Sequence, residues 1–290
     1  TDIGTRMRNF VNQRSQELKP SGIRKFFDIV SEMKDAISLG VGEPDFITPW
    51  NIRNAAIKSI QRGYTQYTGT HGLPVLRELI SRYMNERFGV EYPAENIIVT
   101  VGASEGIDLV MRAICDPGDE ILVPDPGYVS YSPCVLLSGG VPVHIPCRQE
   151  NSFILTPEQL ERAITPRTKA IILPYPNNPT GGIMTKEQLE AIAPVLEKHD
   201  LLIVSDEIYA ELTYGGKHVS IASIPGMKER TVLINGFSKA FAMTGWRIGF
   251  VCAPPEIDKA LFKIHQYAIM CAPSASQYAA VEGLKDGFTD

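Results

Sequence analysis

The sequence predicts an α/β fold built on a mostly parallel seven-stranded sheet flanked by helices. Three observations lead there. From Asn96 onward, short β-rich runs alternate with helical stretches, at Ile97–Val101, Glu120–Val123, Val141–Ile145, Lys169–Leu173, Leu201–Ser205, Thr231–Ile234 and Ile248–Cys252. Several of these runs are apolar throughout rather than alternating, as strands buried on both faces must be. The turns that follow them are rich in glycine, proline, asparagine and aspartate.

The N-terminal fifth reads differently. Residues 1–20 are polar and end at Pro20, and they read as an arm or extended segment. Ser21 is placed to cap a helix from Gly22 to about Met33, with Ile23, Phe26, Phe27 and Val30 on one face. Gly40-Val41-Gly42-Glu43-Pro44-Asp45-Phe46 is a turn where backbone can approach a ligand closely. It lacks the third glycine and the strand–helix context of a dinucleotide fingerprint. Helical patterns over about 49–62 and 73–88 follow, separated by the stretch Tyr64 to Gly72. At the far end, Ser276–Leu284 is again helical in pattern.

The chain has 290 residues, 44% hydrophobic and 21% charged, enough to bury a sizeable core. A net charge of −5 without blocks of like charge gives no nucleic-acid surface and no basic membrane patch. The five cysteines are scattered and form no CxxC, which favours reduced thiols. No run is long enough to span a bilayer, and residues 1–6 lack a signal-peptide core, so a cytoplasmic protein is expected. Its first residue is not methionine, and the numbering is expected to begin inside a longer chain.

Ligands of open α/β sheets sit beyond the carboxyl ends of the strands, so the residues there define the candidate site. After the first run, Gly102-Ala103-Ser104 opens a helix, which suits a phosphate; Ser104 as a plain helix cap is the competing reading. After the second comes Tyr128, placed to stack on a planar ring or to serve as a half-buried structural tyrosine. The fourth leads into Pro174-Tyr175-Pro176-Asn177-Asn178-Pro179, a rigid turn that could aim an amide. Asp206 closes the fifth, where a buried carboxylate needs a cationic partner unless it is simply a helix cap. Tyr209 follows it. The sixth run leads to Ser238-Lys239, which alone would read as a solvated surface pair. Arg247 precedes the seventh run and joins the cluster only if that strand is antiparallel. Together these residues describe a site for a phosphorylated, protonated pyridine aldehyde, pyridoxal phosphate, with Lys239 as the Schiff-base lysine.

With Gly42-Glu43-Pro44-Asp45-Phe46, Tyr67, Asn178-Pro179-Thr180-Gly181, Ser205 to Tyr209, Ser238-Lys239 and Met243 to Arg247, the sequence resembles the class I/II aminotransferases of PLP fold type I, on the aspartate/aromatic, prokaryotic branch. The resemblance implies part of a small α+β domain in residues 1–45, with its N-terminal arm, and a large pyridoxal-phosphate domain in 46–290. It implies Lys239, Asp206 and Tyr209 as catalytic residues. The cofactor would be held by Gly102, Ala103, Ser104, Tyr128, Asn178, Asp206, Tyr209, Ser238, Lys239 and Arg247. Tyr67 would reach the phosphate of a neighbouring subunit, which implies a homodimer with shared active sites. Gly42, Tyr128 and Asn178 would meet the substrate. No metal is implied. Gly236 stands where some relatives place a hydroxyl toward the phosphate. Relatives also continue past the position of Asp290 into the rest of the small domain, with the arginine for the substrate α-carboxylate.

The implied activity is transfer of an amino group from an L-amino acid, aspartate or aromatic, to a 2-oxo acid such as 2-oxoglutarate. A carbon–sulfur β-lyase or cyclopropane-forming synthase could reuse the same constellation. A non-catalytic pyridoxal-phosphate regulator for a DNA-binding partner has no basic extension to support it. A serine–lysine hydrolase is disfavoured because adjacent Ser238 and Lys239 are poorly placed to act on each other.

Overall fold

The computed structural model describes residues 7–285, which fall into two units dividing between Gly42 and Glu43. Residues 1–6 and 286–290, with the N-terminal and C-terminal expectations that fall on them, lie outside the described residues.

Among its described residues the N-terminal unit carries two helices, α1 (Gln13–Glu17) and α2 (Ile23–Ser31). Two expectations are corrected here. The segment read as an arm or extended segment is not extended throughout, because it contains the one-turn α1, started by Asn12 accepting from the Ser15 N–H at 2.9 Å. Ser21 does not cap α2; Gly22 occupies that position without any side-chain bond.

The second unit contains the sheet. Its strands are β1 (Ile97–Thr100), β2 (Glu120–Asp125), β3 (Val141–Pro146), β4 (Thr168–Leu173), β5 (Leu202–Asp206), β6 (Thr231–Gly236) and β7 (Gly249–Cys252). The order across the sheet is β1-β7-β6-β5-β4-β2-β3. Among the described residues, β7 runs opposite to the other six strands, pairing antiparallel with both β1 and β6. Every residue of β1, β6 and β7 is buried, the outcome demanded by continuous apolar runs.

Among the described residues this unit also has eight α-helices: α3 (Trp50–Gln61), α4 (Pro74–Phe88), α5 (Gly102–Ile114), α6 (Tyr131–Leu137), α7 (Pro157–Ala163), α8 (Lys186–Lys198), α9 (Pro255–Ala268) and α10 (Ser274–Lys285). Alternate strand residues point to opposite layers. Ile98, Val204, Val232, Ile234 and Val251 pack with Ile107, Val110 and Met111 of α5 and Leu261 of α9. Ile97, Val99, Leu233 and Phe250 face the other way, against Leu76, Ile80 and Met84 of α4 and Ala280 of α10. Leu122, Ile171 and Ile203 meet Leu160 of α7 and Leu189 and Ile192 of α8. Each fully buried aliphatic side chain contributes about 1.5–3 kcal/mol, so the sheet is anchored from both sides. No helix among the described residues is long and apolar enough to cross a membrane.

Helices α7 and α8 begin with complete capping boxes, Thr156/Gln159 and Thr185/Gln188. Helix α5 has Val101 at its N-cap position, with no side-chain cap. That open end lies at the carboxyl edge of β1, where the start of antiparallel β7 also sits.

Candidate active site

Three backbone features shape the phosphate end. Gly102 has φ +71°, a left-handed conformation that favours glycine, and opens α5. The Val101 N–H donates to Glu105 Oε1 at 3.2 Å, while no side chain caps the turn formed by Gly102, Ala103 and Ser104. The reading of Ser104 as helix cap is thereby overturned, since Val101 holds the cap position. Arg247 lies against Gly102, with its Cζ 2.9 Å from where a β-carbon there would stand. Its Nη1 donates to the Thr244 carbonyl at 2.7 Å. An uncapped helix start beside a guanidinium is a site for an anion. Ser238, 7% exposed, stands at the end of β6.

Glycines bring these parts together. Gly236 and Gly249 face each other across β6 and β7. A β-carbon on Gly236 would stand 2.9 Å from the Gly249 Cα, so the close pairing of the strands leaves no room for a hydroxyl-bearing side chain there. A β-carbon on Gly249 would meet Ala103 N and Gly102 C, each at 2.7 Å.

The ring end is a run of aromatic and polar contacts. Ser104 Oγ is 3.5 Å from the Tyr128 hydroxyl. Tyr128 meets Tyr131 edge-on, with centroids 5.6 Å apart at 84°. The Tyr131 hydroxyl donates to Asp206 Oδ2 at 2.6 Å, and the Ile208 N–H donates to Oδ1 at 3.2 Å. Asp206 is 6% exposed, and burial holds its carboxyl above the usual range, against the pull of those two hydrogen bonds. No ion pair among the described residues involves Asp206. As a helix cap it is ruled out: the turn after it leads to a single 3₁₀ turn, Ala210–Leu212, whose N-cap position is held by Tyr209 without a side-chain bond. Its neighbour Glu207 is buried separately, accepting from Ser205 and Ser220 and paired with His218.

Lys239 is half-buried, with Nζ 5.4 Å from the centre of the Tyr209 ring. Burial lowers its pKa; the Glu43 carboxylate opposes this and the Arg247 charge adds to it. Glu43 is held by the Thr244 hydroxyl. Tyr209 hydrogen-bonds Asn178, and burial followed by the Asp206 and Tyr128 charges raises its phenol. The two successive asparagines divide their work. Asn177 builds the turn, accepting from Thr180 N at 3.2 Å and Thr180 Oγ1 at 3.0 Å, which leaves Asn178 for Tyr209.

Most of the residues singled out from the sequence therefore meet at one sheet edge. Tyr67, 80% exposed, makes no hydrogen bond or ring contact to any of them among the described residues. Gly42 ends the other unit. The sequence gives no role to Tyr131, and shows Glu43 only as part of the Gly42-to-Phe46 motif; Tyr131 stands three residues after Tyr128, the spacing of side chains sharing one helical face. No group of His, Cys, Asp and Glu among the described residues could hold a metal. Burial pushes the thiols of Cys115 and Cys134 up to about 11, away from the thiolate form.

The residues present fit pyridoxal phosphate. An open helix start with Arg247 suits the phosphate, Asp206 lacks the cation that a protonated ring nitrogen would supply, and Lys239 has the depressed amine that an aldehyde requires.

Known proteins resemble this chain in sequence and fold. Residues 34–289 match the family model "Aminotransferase class I and II". The Bacillus subtilis protein YugH, whose name gives the aminotransferase class and no substrate, is 53% identical over 98% of this chain and 74% of its own length. An aspartate aminotransferase of Pyrococcus abyssi is 45% identical over 95% of this chain and 72% of its own. The crystal structure of Thermus thermophilus aspartate aminotransferase with maleate superposes with a TM-score of 0.91 at 40% identity, over 96% of this chain and 73% of that one. The chain belongs to the class I and II aminotransferase family, of PLP fold type I.

Proposed function

We propose that the chain is a pyridoxal-phosphate-dependent aminotransferase in which Lys239 carries the cofactor and moves the substrate α-proton. The observation behind this is the joining of Lys239 to Tyr209 and Asn178 on one side, and of Asp206 to Tyr131 and Tyr128 on the other, beside an uncapped α5.

When bound, pyridoxal phosphate supplies the electron sink for the electrons released at the substrate α-carbon. Asp206 would pair with the ring nitrogen and keep it protonated. Asn178 and Tyr209 would hydrogen-bond the ring oxygen, and Tyr128 would stack on the ring. The N–H groups of Ala103 and Ser104, with Ser238 and Arg247, would hold the phosphate. Lys239, its pKa lowered by burial, is an amine able to take a proton from carbon and return it.

The donor is an L-amino acid and the acceptor a 2-oxo acid such as 2-oxoglutarate. Aspartate is favoured by the names of several relatives, and an aromatic donor by the Thermococcus litoralis aromatic-amino-acid aminotransferase, 42% identical. We assign Gly42 to the substrate side. The enzyme works in the cytoplasm as a homodimer with shared sites, in which exposed Tyr67 serves the partner's phosphate.

Borohydride reduction in the presence of pyridoxal phosphate, followed by peptide mapping, tests the assignment. The label is expected on Lys239 and a label elsewhere overturns it. A panel of amino acids with 2-oxoglutarate then identifies the donor, and pyruvate release from cystathionine without an acceptor would instead mark a lyase.

A further inference from the structure

Tyr131 touches two of the site residues but has no role in the reaction described above. Tyr131 is 3% exposed, yet its hydroxyl is spent on the carboxylate of Asp206, and its ring supports Tyr128 edge-on. Tyr128 and Asp206 come from the ends of different strands, β2 and β5, which are separated in the sheet by β4. Tyr131, in the first turn of α6, connects them.

We propose that Tyr131 is a positioning residue for the cofactor ring, fixing at once the carboxylate that meets the ring nitrogen and the aromatic side chain that covers the ring face. The inference rests on the pyridoxal-phosphate reading of the site. A buried carboxylate keeps its charge only where hydrogen bonds replace the lost water, and Tyr131 supplies one of the two recorded for Asp206. Burial and the neighbouring Glu207 push Asp206 toward its protonated form, and the Tyr131 bond opposes them most strongly. Edge-to-face packing sets the tilt of Tyr128.

The test uses the full chain and compares wild type, Tyr131→Phe, Asp206→Asn and the double variant. Two quantities are read: the Kd for pyridoxal phosphate, and the pH at which the absorbance of the bound cofactor titrates. Loss of a charge-assisted hydrogen bond is expected to weaken binding about tenfold or more in Tyr131→Phe and to move the titration. In the Asp206→Asn background the same change should have less than about a twofold effect, because no charge remains to be held. An unchanged Kd and titration in Tyr131→Phe overturns the inference, and so does an equal loss in both backgrounds, which a merely structural tyrosine would give. If Tyr131→Phe does not fold, 3-fluorotyrosine at position 131 keeps the shape and strengthens the donor; a titration that does not move then overturns the inference. A wild-type chain that binds no pyridoxal phosphate overturns the functional reading itself, whereas wild-type binding with an indifferent Tyr131 overturns only this one.

Discussion

The guanidinium of Arg247 fills the space that a side chain on Gly102 would need. Both residues have left-handed backbone, with φ +49° at Arg247 and +71° at Gly102. The open end of α5 and the positive charge beside it are therefore one construction. Gly102→Ala should lose both, displacing Arg247 and straining the backbone by about 1–2 kcal/mol. Chemical denaturation should show the stability loss, and a cofactor titration should show weakened binding of pyridoxal phosphate.

Lys239 titrates between two opposing charges. Glu43→Gln removes the one that raises its pKa, so the amine should deprotonate at lower pH than in wild type. Arg247→Gln removes one that lowers it, so deprotonation should move to higher pH. Competitive amine labelling of Lys239 across a pH series measures both midpoints, and shifts in the same direction would contradict this electrostatic account.

Asp206 gives a stability dependence whose sign follows from its raised pKa. Between the unfolded and folded values the folded chain holds the extra proton, so stability falls as pH rises through that window. The burial cost is absent below the unfolded value and complete above the folded one. Asp206→Asn should therefore make the cofactor-free chain more stable than wild type at neutral pH, with the difference shrinking on acidification. Urea denaturation at several pH values reads this directly. The same variant should bind pyridoxal phosphate less tightly, since the ring nitrogen loses its partner.

Gly249→Ala sets a β-carbon against backbone atoms of Gly102, Ala103 and Asn235, none of which can rotate away. Overpacking of this kind costs about 1–3 kcal/mol. A lowered urea midpoint is expected, together with loss of cofactor binding, because the strand that yields also positions α5. The Gly118→Ala change, with open space around it but φ +88°, should cost stability without touching cofactor affinity.

Much of the fold was legible because the signals are local. Each β-rich run from Ile97 to Cys252 became a strand, since apolar runs of that length bounded by turn residues have few other ways to bury themselves. The antiparallel direction of β7 was readable only as a condition on Arg247, and pairing with β1 and β6 met it. Ser21 and Ser104 show where local reading fails. Both have the chemistry of a helix cap, but Gly22 and Val101 take those positions, because the cap is chosen by where the chain enters the helix.

By itself, the sequence determined which chemical groups stand at the strand ends: the lysine, the carboxylate, the phenol, the amide and the glycines that admit a phosphate. Those follow from residue type and from the rule that ligands gather at the carboxyl edge of such a sheet. Only the tertiary structure decided which groups touch. Tyr131 and Asp206 are 75 positions apart and meet at 2.6 Å, while Asn177 and Asn178 are adjacent and serve different partners. Pairings of that kind depend on strand order and on side-chain direction, and neither is encoded in a local stretch of chain.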